Sequence, residues 1–150
     1  MPSTWPRFAF RTLACGHRVV AVANLDKARE SINVTSSQGP TREGSNKPDI
    51  AAPGTDIVAA NGFSSPADAW VGMTGTSMAS PFVCGTVALM LATRPDLTAA
   101  QIIGIIQRSA TPLVGKGFAW VNDAGFGQID TAGCVLEAKR VNLPRKDKTP

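Results

Sequence analysis

Residues 82–92 form an almost wholly apolar run, and it follows directly on Gly75-Thr76-Ser77-Met78-Ala79-Ser80-Pro81. The spacing predicts a helix over 77–93 in which Met78, Phe82, Val83, Val87, Ala88, Met90 and Leu91 cover every side. A helix apolar all round is buried all round, so the rest of the chain must be arranged about it in layers. Cys84 is expected to pack inside it as a small hydrophobe. Pro81 fits in or near the first turn, where a missing N–H costs least. Arg94-Pro95 ends the helix, because proline disfavours helical backbone at the residue before it.

The remaining pattern supplies those layers. Val19 to Asn24 is a short β-branched run, apolar on both faces, which reads as a buried parallel strand. Ile32 to Ser36 reads as a short strand or an extended loop. Asp49–Ala52 and Ile57–Ala60 flank Pro53-Gly54, a turn signal that suggests a hairpin-like unit. Trp70–Met73 is a brief extended segment leading to the serine. Thr98-Ala99-Ala100-Gln101 is a capping box that opens a second helix, with Ile102, Ile105, Ile106 and Ser109 facing inward. Thr111 to Asp123 is a loop, Gly125 to Gly127 a tight turn, and Asp130 or Thr131 caps a third helix running to about Lys139. The fold class expected is α/β, with a short parallel or mixed sheet around a central buried helix. Residues 1–18 read as an irregular N-terminal segment, 19–139 as the folded body and 140–150 as a basic tail.

Composition narrows the function classes. A chain of 150 residues with 43% hydrophobic content can form one domain. Much of the formal charge of +4 lies in Lys139, Arg140, Arg145, Lys146 and Lys148. No aromatic residues interleave with these charges as a stacking platform for nucleic acid requires, so no nucleic-acid partner is expected. The three cysteines, Cys15, Cys84 and Cys134, show no metal-ligand spacing, and neither a metal nor a cofactor is expected. Met1 to Phe10 lacks the apolar core of a signal peptide. No apolar run reaches about 18 residues, so no membrane span is expected. Asn33-Val34-Thr35 is a glycosylation triplet of a kind common by chance.

Ser77 carries the candidate chemistry. A loop that delivers a serine to the first turn of a buried helix places it beside unpaired backbone N–H groups and the positive end of the helix dipole. Both favour the negative charge that develops when a serine attacks a carbonyl. The competing reading is that Ser77 only caps the helix, serine being a preferred N-cap. The motif also differs from the Gly-x-Ser-x-Gly elbow, since Ala79 stands in place of the second glycine. His17, the sole histidine, reads as a strand-end surface residue rather than a base. Asp49 and Asp56 read as turn residues near Pro53-Gly54. Cys84 is a poor nucleophile candidate, because apolar surroundings raise a thiol's pKa.

The stretch Gly75 to Pro81 resembles the serine motif of the subtilisin-like serine proteases, the subtilases of peptidase family S8. Lys47-Pro48-Asp49-Ile50-Ala51-Ala52-Pro53-Gly54 resembles the family segment upstream of the serine, and Gly125-Phe126-Gly127-Gln128-Ile129-Asp130 the turn before its last helix. The resemblance spans about Val19 to Lys139 and departs at Phe82, where many relatives carry a non-catalytic His. It implies serine endopeptidase function with Ser77 as the catalytic residue and polypeptide as substrate. The family triad runs Asp, His, Ser along the chain. Its Asp and His motifs, and the Asn of its oxyanion hole, belong upstream of Val19 and are not found here. The resemblance therefore implies the C-terminal part of a catalytic domain, with the upstream half as its partner, and secretion as the family's habit. The alternatives are a non-catalytic truncated remnant, a binding module that retains the fold, or another serine hydrolase using His17. With the first helix uncovered, the chain by itself is expected to be poorly soluble or molten.

Overall fold

The computed structural model describes residues 12–28, 30–62 and 69–141. Most of the irregular segment 1–18 and of the tail 140–150 lies outside them, beyond a 3-10 turn at Thr12–Cys15. Strand β1 (Val22–Leu25) is buried at all four positions and pairs in parallel with β2 (Ile50–Pro53), Val22 opposite Ile50. The sequence places a buried parallel strand here, and the structure agrees, shifted toward the C-terminus. On the far edge of β2, Ala51 receives a parallel bridge: its N–H donates to Gly127 O (2.8 Å) and its carbonyl accepts from Ile129 N–H (2.9 Å).

Both hydrogen-bonding edges of β2 are thus occupied, which is why the expected hairpin does not form. Strand β3 (Ile57–Ala60) pairs antiparallel with β4 (Trp70–Met73), Ile57 opposite Met73, and makes a ribbon separate from the first sheet. Segment 32–36 is neither a strand nor extended: Ile32 alone bridges β1, at Leu25, and the chain then turns, with Ser36 N–H donating to Asn33 O at 2.9 Å. The ribbon leaves Val58, Trp70 and Met73 exposed.

Strand alternation divides the core in two. On one face of the sheet, Val22, Ile50 and Ala52 meet helix α1 (Thr76–Thr93), with α2 (Ala99–Ser109) and α3 (Thr131–Arg140) extending the same cluster through Ile105, Ile106, Cys134 and Ala138. On the other face, Ala23, Leu25 and Ala51 meet Leu113 and Ala124 of the long loop. The capping box on α2 forms as its sequence predicts, with Thr98 accepting from Gln101 N–H and the Gln101 side chain accepting from Thr98 N–H. Asp130 caps α3 by accepting from Gly133 N–H. A hydroxyl pair, Thr86 to Thr131 at 2.8 Å, joins α1 to α3.

Helix α1 corrects the expectation that it is buried all round. The buried residues Ala79, Val83, Thr86 and Met90 form one stripe at steps of four, three and four. Phe82 is 46% exposed and Leu89 53%, and Cys84, Gly85, Ala88 and Ala92 are exposed beside them. Cys84 is therefore a surface thiol of this chain, not a core residue. The described residues supply cover for one side of the helix only. At 18 residues α1 reaches membrane-spanning length, which the apolar run itself does not. It packs, however, against an open two-stranded sheet, and open sheet edges do not occur in lipid hydrocarbon.

Asp49 is a second correction. It is no turn residue: its side chain and that of Lys47 are each 6% exposed, and they form an ion pair at 2.6 Å. Asp49 also accepts from Ala21 N–H (2.7 Å) and Gln107 Nε2 (3.3 Å), while Lys47 donates to Val19 O (2.6 Å). Removing one member of a buried pair strands the other, at a cost of about 3–5 kcal/mol. Asp49→Ala is accordingly expected to lower the unfolding free energy by that amount in urea titration. Lys27→Ala, which breaks the exposed pair with Asp56, is expected to change it by less than about 1 kcal/mol.

Candidate active site

The serine loop is built from the end of β2. Gly54 follows that strand, and its carbonyl accepts from Gly75 N–H at 2.8 Å. Gly75 is the N-cap of α1, with φ 157° and ψ 169°, a backbone region open essentially to glycine. It offers no side-chain cap. Ser77 is the second residue of the helix, so the reading of Ser77 as the N-cap is overturned. Its side chain is exposed, and among the described residues neither its hydroxyl nor its N–H has a hydrogen-bond partner. The first-turn N–H groups of Thr76 and Ser77 are thus free donors at the positive end of an 18-residue helix.

Pro81 lies one turn deeper than expected. Lacking an N–H, it leaves the Ser77 carbonyl without its usual i+4 donor. The turn after Gly75 is closed instead by Met78 and Ala79 N–H donating to Gly75 O, at 3.0 and 3.3 Å.

All three sequence motifs converge here. Gly54 touches the serine loop. Asp49 O accepts from Phe126 N–H at 3.1 Å, and Gly125, at φ 66°, brings its backbone so close that an added Cβ would lie 2.4 Å from the Asp49 carbonyl carbon. Other candidates stand apart. His17 is exposed, as its sequence position suggests, and no hydrogen bond joins it to Ser77. Asp56 does sit in a turn. The Cys134 thiol is buried and pushed up to about 11, chiefly by burial and further by the charge of Asp130, against a lowering hydrogen bond from Ser109. It is no nucleophile at neutral pH. Among the described residues no group of three His, Cys, Asp or Glu side chains could hold a metal ion.

The fold is thus an α/β layer with an exposed serine at a free helix start. The model of the subtilase family matches residues 2–127, and the chain belongs to that family of serine proteases. It is 35% identical over 101 residues to "Serine protease AprX" of Bacillus subtilis (strain 168), covering 57% of this chain and 23% of that protein. It is 32% identical over 133 residues to "Subtilisin-like protease 1" of Plasmodium falciparum (isolate 3D7), covering 87% of this chain and 17% of that one. Fervidolysin from Fervidobacterium pennivorans, a keratinolytic enzyme related to subtilisin, shares the fold, with a TM-score of 0.68 at 24% identity over 89% of this chain and 21% of its own. The CspB protease of Clostridium perfringens does so with a TM-score of 0.70 at 23% identity, over 83% of this chain and 27% of its own. The chain spans less than a quarter of the length of these two curated relatives.

Gly54 is the contact on which the loop's position can be tested. A Cβ there would lie 2.5 Å from Asn24 Oδ1, 2.6 Å from Gly75 O and 2.9 Å from the Ala79 Cβ. Two of these belong to the serine loop and the helix it opens. Gly54→Ala is expected to destabilise by about 1–3 kcal/mol in urea unfolding. Gly62→Ala, which meets nothing within 4 Å, is expected to stay within about 0.5 kcal/mol.

Proposed function

We propose that this chain is the serine-bearing, C-terminal part of a subtilisin-like serine endopeptidase domain, within about residues 19–139, and that Ser77 is its nucleophile. The observation that carries this reading is Ser77 itself, exposed in the first turn of α1 with its own N–H unpaired. In the reaction Ser77 Oγ attacks the scissile carbonyl of a polypeptide. The Ser77 N–H and the helix dipole stabilise the oxyanion that forms. The general base, its carboxylate partner and a second oxyanion donor are supplied by sequence upstream of this chain. Free of a base, the hydroxyl is a weak nucleophile, and triad members act as a unit.

The same upstream half provides cover for the rest of the fold. The register of β1 on β2, with Ala21 O accepting from Ile50 N–H, turns the Val22 backbone groups toward the other edge of β1. The C-terminal end of that edge is filled, since Asn24 N–H donates to Ser36 Oγ and Asn24 O accepts from Asn33 N–H. At Val22 it is open among the described residues, and a strand added there extends the parallel sheet. The apolar side of α1 containing Phe82 and Leu89 is then buried by the added elements.

With the upstream half present, a fluorophosphonate probe is expected to label the chain, and Ser77→Ala to abolish the labelling. Equal labelling of the two would exclude Ser77 as the nucleophile. Peptidase activity of the chain by itself is expected near background. Cys84 gives an independent reading of the docking. It is expected to alkylate readily at pH 8 in the chain alone and to be protected when the upstream half is added. In the assembly Cys134, buried in the core, reacts only after denaturation.

A further inference from the structure

The turn between β2 and β3 contains Asp56, the one non-glycine residue with positive φ (54°) among the described residues. Such backbone costs roughly 1 kcal/mol and persists where the surroundings fix it. Beside its exposed ion pair with Lys27, Asp56 meets the serine loop. Its N–H donates to Thr74 Oγ1 at 2.9 Å, and its Oδ1 accepts from the same hydroxyl at 3.4 Å. Thr74 immediately precedes Gly75, whose N–H is held by Gly54 O. Residues 54 and 56 therefore grip residues 75 and 74 at two successive points.

The grip has its own anchor. Thr55, between the two, donates to Leu25 O (2.7 Å) and accepts from Asn33 Nδ2 (3.1 Å), which ties the turn to β1 and its flanking loop. Asn24 Nδ2 is buried without a partner. Turning that amide over directs it at Thr55 Oγ1, 3.3 Å from the atom now there, and leaves the hydroxyl proton wholly to Leu25 O.

The β3–β4 ribbon needs such a clip more than a packed element does. Both its strands are largely exposed, so little side-chain packing fixes the end from which the serine loop departs. Gly75 has no side chain to restrict its own torsions. We infer that Thr74 and Asp56 are positioning residues for Ser77, holding the loop so that the serine and its N–H keep a fixed place at the helix start. This rests on the reading of Ser77 as the nucleophile. Positioning errors of about 1 Å can cost about a hundredfold in rate, so one modest hydrogen bond can matter here.

Thr74→Val removes the hydroxyl at nearly constant shape, and Thr74→Ser restores it. Amide hydrogen exchange of the chain assembled with its upstream half provides a readout independent of activity. Thr74→Val is expected to lower protection of the Gly75 amide about tenfold, the worth of one hydrogen bond, with β1 and α2 amides unchanged and Thr74→Ser close to the parent. In the chain assembled with its upstream half, the same variant is expected to lower kcat about tenfold with KM unchanged. Unchanged Gly75 protection in Thr74→Val overturns the clip. Lost protection with unchanged kcat shows that the clip is structural only and overturns the positioning role. Failure of the parent assembly to react with a fluorophosphonate defeats the nucleophile reading and the positioning role with it, whereas the exchange result still decides whether the clip exists.

Discussion

The buried pair of Lys47 and Asp49 is the constraint from which the rest of the molecule is set. An ion brought out of water costs several kcal/mol even after relaxation, and the pair survives because its groups are well provided with partners. One carboxylate takes the Lys47 ammonium, the Ala21 N–H and the Gln107 amide, while the ammonium also reaches Val19 O. These bonds converge from the entry of β1, the entry of β2 and the last turn of α2. They fix the β1–β2 register at its start, and a parallel register fixed at one end is fixed along four residues. Gly54 then arrives at a determined place, and the serine loop is hung from its carbonyl. The place of Ser77 is thus specified from the far end of β2.

What the sequence makes legible follows from how local each interaction is. The α2 capping box needs only Thr98 and Gln101, three residues apart, and it reads directly. The parallel character of β1 follows from apolar residues on both faces. The limits of α1 follow from Gly75 and Pro95. The pairing of β3 was hidden, because Pro53-Gly54 signals a turn without saying that both edges of β2 are already taken by β1 and by residues 127–129. Asp49 was misread for a related reason: a polar residue near Pro53-Gly54 looks like part of the turn. The alternation that puts Lys47 and Asp49 on the same side of an extended segment was the available signal. In the candidate site, Ser77 stands out in the sequence, whereas the contact between Thr74 and Asp56 beside it does not. Their contact spans 18 residues of sequence and depends on one left-handed φ.

The burial pattern of α1 has its own logic. An isolated amphipathic helix turns polar residues outward and large apolar ones inward. Here Thr86 is inside, satisfied by the Phe82 carbonyl and the Thr131 hydroxyl, while Phe82 and Leu89 are outside. The stripe facing the sheet is lined by Ala79 and Val83, small enough to let helix and strands approach closely. Met90 deepens the stripe farther along, while the larger Phe82 and Leu89 lie outside it. A helix so composed is built for neighbours on two sides.

The energetic consequence ties stability to the site. A fully buried Phe or Leu contributes about 1.5–3 kcal/mol relative to an exposed one, so Phe82 and Leu89 half in water forfeit a few kcal/mol between them. Domains are stable by only about 5–15 kcal/mol, so that loss is a substantial fraction of the whole. Whatever covers the outer face of α1 steadies the helix whose first turn presents Ser77. A rigid helix start keeps its free N–H groups aimed at one point in space, and preorganised donors of that kind are what stabilise a developing oxyanion. Cover at one side of α1 therefore also steadies the free donors at its N-terminus.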